Sequence, residues 1–111
     1  MHIPESDWKL FKSVRNKALD VFCGRVLSRV ASTINDEKLS NHDKFLQIYT
    51  TVTDQNRNLA QIFDGYSRSR ALLQLTMMQS FELLDEKDID DFSESTKEHM
   101  RHAAQWRKDR P

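Results

Sequence analysis

Between Ser40 and Leu84 the apolar residues keep one helical phase. Spaced at about 100° per residue, Phe45, Ile48, Tyr49, Val52, Leu59, Ala60, Phe63, Tyr66, Met77, Met78, Phe81 and Leu84 fall in one broad sector of a helix. The stripe crosses Gly65 without losing phase, which favours one continuous or kinked helix over two. A glycine inside a helix costs only about 1 kcal/mol, and two separate helices would match phase by accident. The alternative is a break at Asp64-Gly65, a common turn dipeptide, with Ser67 capping the next helix.

An unbroken helix of that length would span roughly 65 Å, while a compact chain of this size has a radius of gyration of about 13 Å. Past Gly65 the far side also turns apolar, at Ala71, Leu72, Leu75 and Leu83, where the first half carries Asp54, Arg57, Asn58 and Gln61. One bundle face cannot cover both sides. A twofold partner supplying the same helix again would do so, so these four residues are the expected interface of a homodimer, with Met77 and Met78 as flexible gap-fillers.

The flanking segments read as helices packed on this one. Pro4 marks the entrance to a helix running to about Ile34, with a stripe of Trp8, Phe11, Ala18, Leu19, Phe22, Val26 and Val30. Arg15 interrupts that stripe and must either reach the rim or meet a carboxylate from another helix. Asn35 to Leu39 is a short polar link, and Ser40 with Asp43 resembles a capping box, which makes the first two helices antiparallel neighbours. Asp85 to Asp91 reads as an acidic turn closed by Phe92. Ser93 then caps a last helix with Glu94 in its first turn, Arg107 and Lys108 near its end, and a weak stripe of Phe92, Thr96, Met100, Ala103 and Trp106.

Composition narrows the class. With 111 residues, the chain is of single-domain length, and residues 1–111 are read as one helical domain. Only two glycines and two prolines occur, with both prolines near the ends, so the turn chemistry of an all-β protein is missing. The expected fold is all-α: an antiparallel helical bundle with one long central helix, three helices in all, or four if the chain breaks at Gly65. Seventeen acids balance seventeen bases, which removes the general electrostatic footprint of a nucleic-acid binder. The one cysteine, Cys23, has no intrachain partner and fits a reducing compartment, where it reads as a small buried apolar residue. No apolar run reaches the ~20 residues of a membrane span and no signal-peptide pattern stands at the start, so a cytoplasmic location without membrane association is expected.

Candidate chemistry is sparse. His99 and His102 stand at i and i+3 beside Glu98, without a thiolate or an HExxH arrangement, and read as a solvated helix surface rather than a metal site. The motifs of nucleophilic, phosphate-binding and dithiol chemistry are absent, and no cofactor is expected. The segment from Arg101 to Arg110, with Trp106 among its bases, has the residue types that hold phosphate and stack a base, but acids nearby and the helix dipole account for it as well. One polar constellation remains. Ser67, Arg70 and Gln74 interrupt the central stripe, and Asn56 does so two turns earlier. Such groups must be hydrogen-bonded, wet or facing a partner. They read first as a register-fixing network or interface rim joined by Arg15, and alternatively as a pocket for a small anion centred on Arg70. The function expected from all this is that of a small non-enzymatic protein acting through homodimerisation or another protein partner. A ligand-binding or enzymatic bundle using the Arg70 pocket is the alternative.

Overall fold

The structure, a computed structural model, describes residues 3–109. It is all helical, with 81 % of those residues in five helices and no strand among them. The helices are α1 (Glu5–Ile34), α2 (Asn41–Phe63), α3 (Arg68–Ser80), α4 (Glu86–Asp90) and α5 (Glu94–Asp109).

The chain takes the broken form at Gly65, not the continuous one. Helix α2 ends at Phe63, Gly65 adopts φ +79°, and Ser67 at φ −156° is the extended residue preceding α3. A positive φ is open to glycine at no steric cost, so the turn reading of Asp64-Gly65 prevails. The buried residues of α3 are Ala71, Leu72, Gln74, Leu75, Thr76 and Met78. Ala71, Leu72 and Leu75 of the expected far side are thus buried along with Gln74 and Met78 of the stripe, so α3 is covered on both sides within the chain.

Each helix starts or stops for a local reason. Ser40 Oγ accepts from the Asp43 amide at 3.0 Å to open α2. A reciprocal capping box opens the short α4, where Asp85 Oδ1 accepts from the Asp88 amide at 3.0 Å and Asp88 Oδ2 accepts from the Asp85 amide at 2.9 Å. Helix α3 closes in a Schellman motif: the Leu83 amide donates to the Met78 carbonyl and the Glu82 amide to that of Gln79, both at 3.0 Å. Glu82 holds the left-handed position at φ 57°, where glycine is usual.

The core lies at one end of the molecule. Phe11, Val14, Ala18 and Phe22 of α1 meet Ile62 and Phe63 of α2, the buried face of α3, and Leu83, Phe92 and Met100 from the later segments. Beyond it, the second half of α1 and the first half of α2 run on as a two-helix hairpin. Lys44 Nζ donates to the Ile34 carbonyl at 2.7 Å near the hairpin's turn, and Arg15 to the Phe63 carbonyl at 2.8 Å at its base, so the two helices are antiparallel, as the short link between them implies. The result is elongated, 52 × 33 × 23 Å with a radius of gyration of 16.8 Å.

Candidate functional site

The residues singled out in the sequence separate into three groups. Ala71, Leu72, Leu75 and Leu83 are at most 8 % exposed within the single chain. That corrects the expected interface: α3 packs on α5, α1 and α2, and the four residues leave little surface to offer a second copy.

Arg15, Gln74 and Arg70 converge on the turn between α2 and α3. Arg15 Nη2 donates to the Phe63 carbonyl, and its guanidinium lies 5.6 Å from the ring centre of Phe63 and 5.3 Å from that of Tyr66. Tyr66 in turn packs against Trp8 and Phe11, with ring centres 5.0 and 6.0 Å away. A cation at a helix C-terminus, over aromatic faces, is favoured by the macrodipole and by the ring quadrupoles together. Gln74, 1 % exposed, donates Nε2 to the Asp64 carbonyl at 2.7 Å and more distantly to that of Gly65 at 3.4 Å. The exposed Arg70 lies across Gly65, its Nε 2.9 Å from where a β-carbon would stand. Arg15 and Gln74 thus clasp three successive carbonyls, those of Phe63, Asp64 and Gly65. Ser67 stands at the start of α3 with its hydroxyl 3.3 Å from that of Ser69 and makes no capping bond. Asn56 is not part of this cluster; it lines a groove between α1 and α2 with Cys23, Leu27, Val52 and Leu59.

The third group is the hairpin, where α2 carries no buried residue before Ile62. Phe45 is 67 % exposed, Tyr49 66 %, Val52 48 %, Leu27 65 % and Ile34 52 %. Phe45, Tyr49 and Val52 lie along one line of α2, while Ile48, Gln55 and Leu59 beside them take the more sheltered side. Leu27 and Ile34 are seven residues apart, two helical turns, and so share a line on α1. The two lines adjoin: Val52 borders both the groove containing Leu27 and a second hollow with Phe45, Ile48, Tyr49 and Thr53. One apolar face therefore runs the length of the hairpin.

Several charged residues that the sequence reading passed over act on helix ends. Arg25 donates to the Phe81 and Glu82 carbonyls at 3.0 and 2.6 Å, at the end of α3. Asp7, 1 % exposed, takes the Ser93 amide at 2.8 Å and the Ser93 and Thr96 hydroxyls at 2.6 Å each, at the start of α5. Arg68 reaches the Ile3 carbonyl and the Glu5 carboxylate. The signal for Asp7 was available, since it shares the helical line of Phe11, Ala18 and Phe22. His99 and His102 are exposed, and no cluster of three metal-ligating side chains occurs among the described residues. No described helix is long and apolar enough to cross a membrane. Comparison with protein-family models, curated proteins and solved structures gives no significant match, and the functional reading rests on the chain's own surface.

Proposed function

We propose that this chain is a non-enzymatic interaction protein that forms a homodimer through the apolar face of its α1–α2 hairpin. The observation that carries the reading is the exposure of Leu27, Ile34, Phe45, Tyr49 and Val52 along one face. Large apolar side chains offer roughly 150–250 Å² each when open, so these five present on the order of 600 Å². That is the upper end of the largest apolar patch on a typical monomer, roughly 300–600 Å². With a polar rim it approaches the ~800 Å² per partner of a standard interface.

A second copy is the occupant that fits. At its base the hairpin is covered by α3, but towards its turn each two-helix layer lacks a third element, and two such layers laid face to face complete a four-helix core. A twofold axis supplies the same face on both sides. The interface moves from the second half of the stripe, where the sequence suggested it, to the first.

Light scattering tests this directly. The native protein is expected at twice the 13.1 kDa of one chain at micromolar concentration, and Phe45→Glu with Tyr49→Glu is expected at 13.1 kDa with its helical circular dichroism intact. Both side chains are open to solvent in the single chain, so the variant tests association without disturbing the core. A native protein that stays monomeric at high micromolar concentration overturns the proposal.

A further inference from the structure

We propose that Asp20 of one copy pairs with Arg57 of the other, and that this pair orients the dimer so that each α1 lies on the α2 of its partner. The pair rests on the hairpin dimer proposed above and adds the direction in which its two copies run.

Asp20 stands seven and fourteen residues before Leu27 and Ile34, so it continues their line along α1. Arg57 stands four residues after Thr53, which borders a hollow with Phe45, Tyr49 and Val52, and so continues that side of α2 by one turn. Both mark the base end of the apolar face. Asp20 is three residues from Cys23, Arg57 follows Asn56, and Cys23 and Asn56 line the same groove. Each is exposed, and neither has an ion pair or a side-chain hydrogen bond among the described residues. The nearest bases of α1 are engaged elsewhere, Lys17 with Asp85 and Asp88 and Arg25 with the carbonyls that end α3. At one level of the hairpin, then, the apolar face is flanked by a carboxylate on α1 and a guanidinium on α2, each without a counter-charge.

A twofold axis can cross such a face in two directions. Laid along the hairpin, it puts α1 of one copy over α2 of the other at the same level, and Asp20 meets Arg57 twice, once on each flank. Laid across the hairpin, it puts α1 over α1 in reverse. Turned about the middle of the stretch from Cys23 to Ile34, Asp20 then arrives at the turn of the other copy, where Asp36 and Glu37 outnumber Lys38. The first direction joins opposite charges and the second joins like ones, and like charges brought together suppress the wrong arrangement.

Charge reversal tests the pair. Asp20→Arg and Arg57→Asp each change one exposed side chain, so the helical circular dichroism is expected to stay native. In dilution series followed by light scattering, each variant alone is expected to dissociate about tenfold more readily than the native dimer. An equimolar mixture of the two is expected to recover the native affinity, because the mixed dimer has opposite charges on both flanks. Added salt should weaken the native dimer and strengthen those of the single variants. A mixture no tighter than its components, or variants that associate like the native chain, overturns the orientation and leaves the dimer standing. A native protein that stays monomeric at high micromolar concentration overturns the dimer itself and the pair with it.

Discussion

A buried carboxylate stays ionised only where donors replace its lost water, and Asp7 has three. Burial alone would push its carboxyl up, but the hydroxyls of Ser93 and Thr96 and the Ser93 amide outweigh that and hold it below its ordinary value of 3.8. For a depressed acid, the stabilisation is full above the unfolded-state value and is lost as pH falls through the folded one. Asp7→Asn is expected to cost about 2–3 kcal/mol at neutral pH, since donors aimed at a charge are left imperfectly met. The deficit relative to native protein, measured by urea unfolding at a series of pH values, should be constant above about pH 5 and shrink as pH falls through 3.8 and below. A deficit that grows towards low pH would contradict this role. Lys17 shows the exposed counterpart. Hydrogen bonds from its ammonium to Asp88 and Asp85 raise its value, but with Lys17 itself half open to solvent the bridge contributes little.

Among the elements, the end of α3 is the one held against its local preference. Its motif demands a left-handed residue and the chain supplies Glu82 at φ 57°, a conformation that costs a non-glycine residue roughly 1–2 kcal/mol. The side chain is exposed, and Arg25 binds the carbonyls of Phe81 and Glu82 without needing it. Glu82→Gly should therefore stabilise the protein by about 1 kcal/mol, with the unfolded chain's extra freedom taking back part of the relief, and raise the melting temperature by roughly 4 °C. A lower melting temperature would mean that the Glu82 side chain contributes something beyond its backbone. Helix ends were the readable part of the sequence. Pro4, Ser40, the acidic turn and Ser93 each mark a boundary through side-chain chemistry within a few residues. At Gly65 the turn dipeptide outweighs the phase of the stripe, since phase is cheap to match by chance when a face spans more than a third of a helix. What could not be read was which face meets what. Among the described residues Arg15 meets no carboxylate of the kind its place in the stripe suggested; it and Gln74 find main-chain carbonyls, which every residue possesses and no pattern distinguishes.

At the scale of the molecule the packing is lopsided, dense where α1, α3 and α5 meet the end of α2 and thin along the hairpin. A radius of gyration of 16.8 Å, against the ~13 Å of a compact chain this long, expresses that imbalance. Hydrogen exchange on the monomeric Phe45→Glu, Tyr49→Glu variant should grade accordingly. Amides from Leu27 to Val52 are expected to exchange through local opening, and those around Phe11 to Phe22 and Leu72 to Met78 only with global unfolding. Uniform protection would show a hairpin rigid by itself. The contact between Asp7 and Ser93 carries a last consequence, for the order in which the protein can be made. The two residues are 86 apart in sequence, and synthesis at about 5–20 residues per second separates them by roughly 5–15 s. Until Ser93 is made, the Asp7 carboxylate is without the donors that justify its position. The packing around Asp7 is thus completed only when the fifth helix arrives and closes on the first.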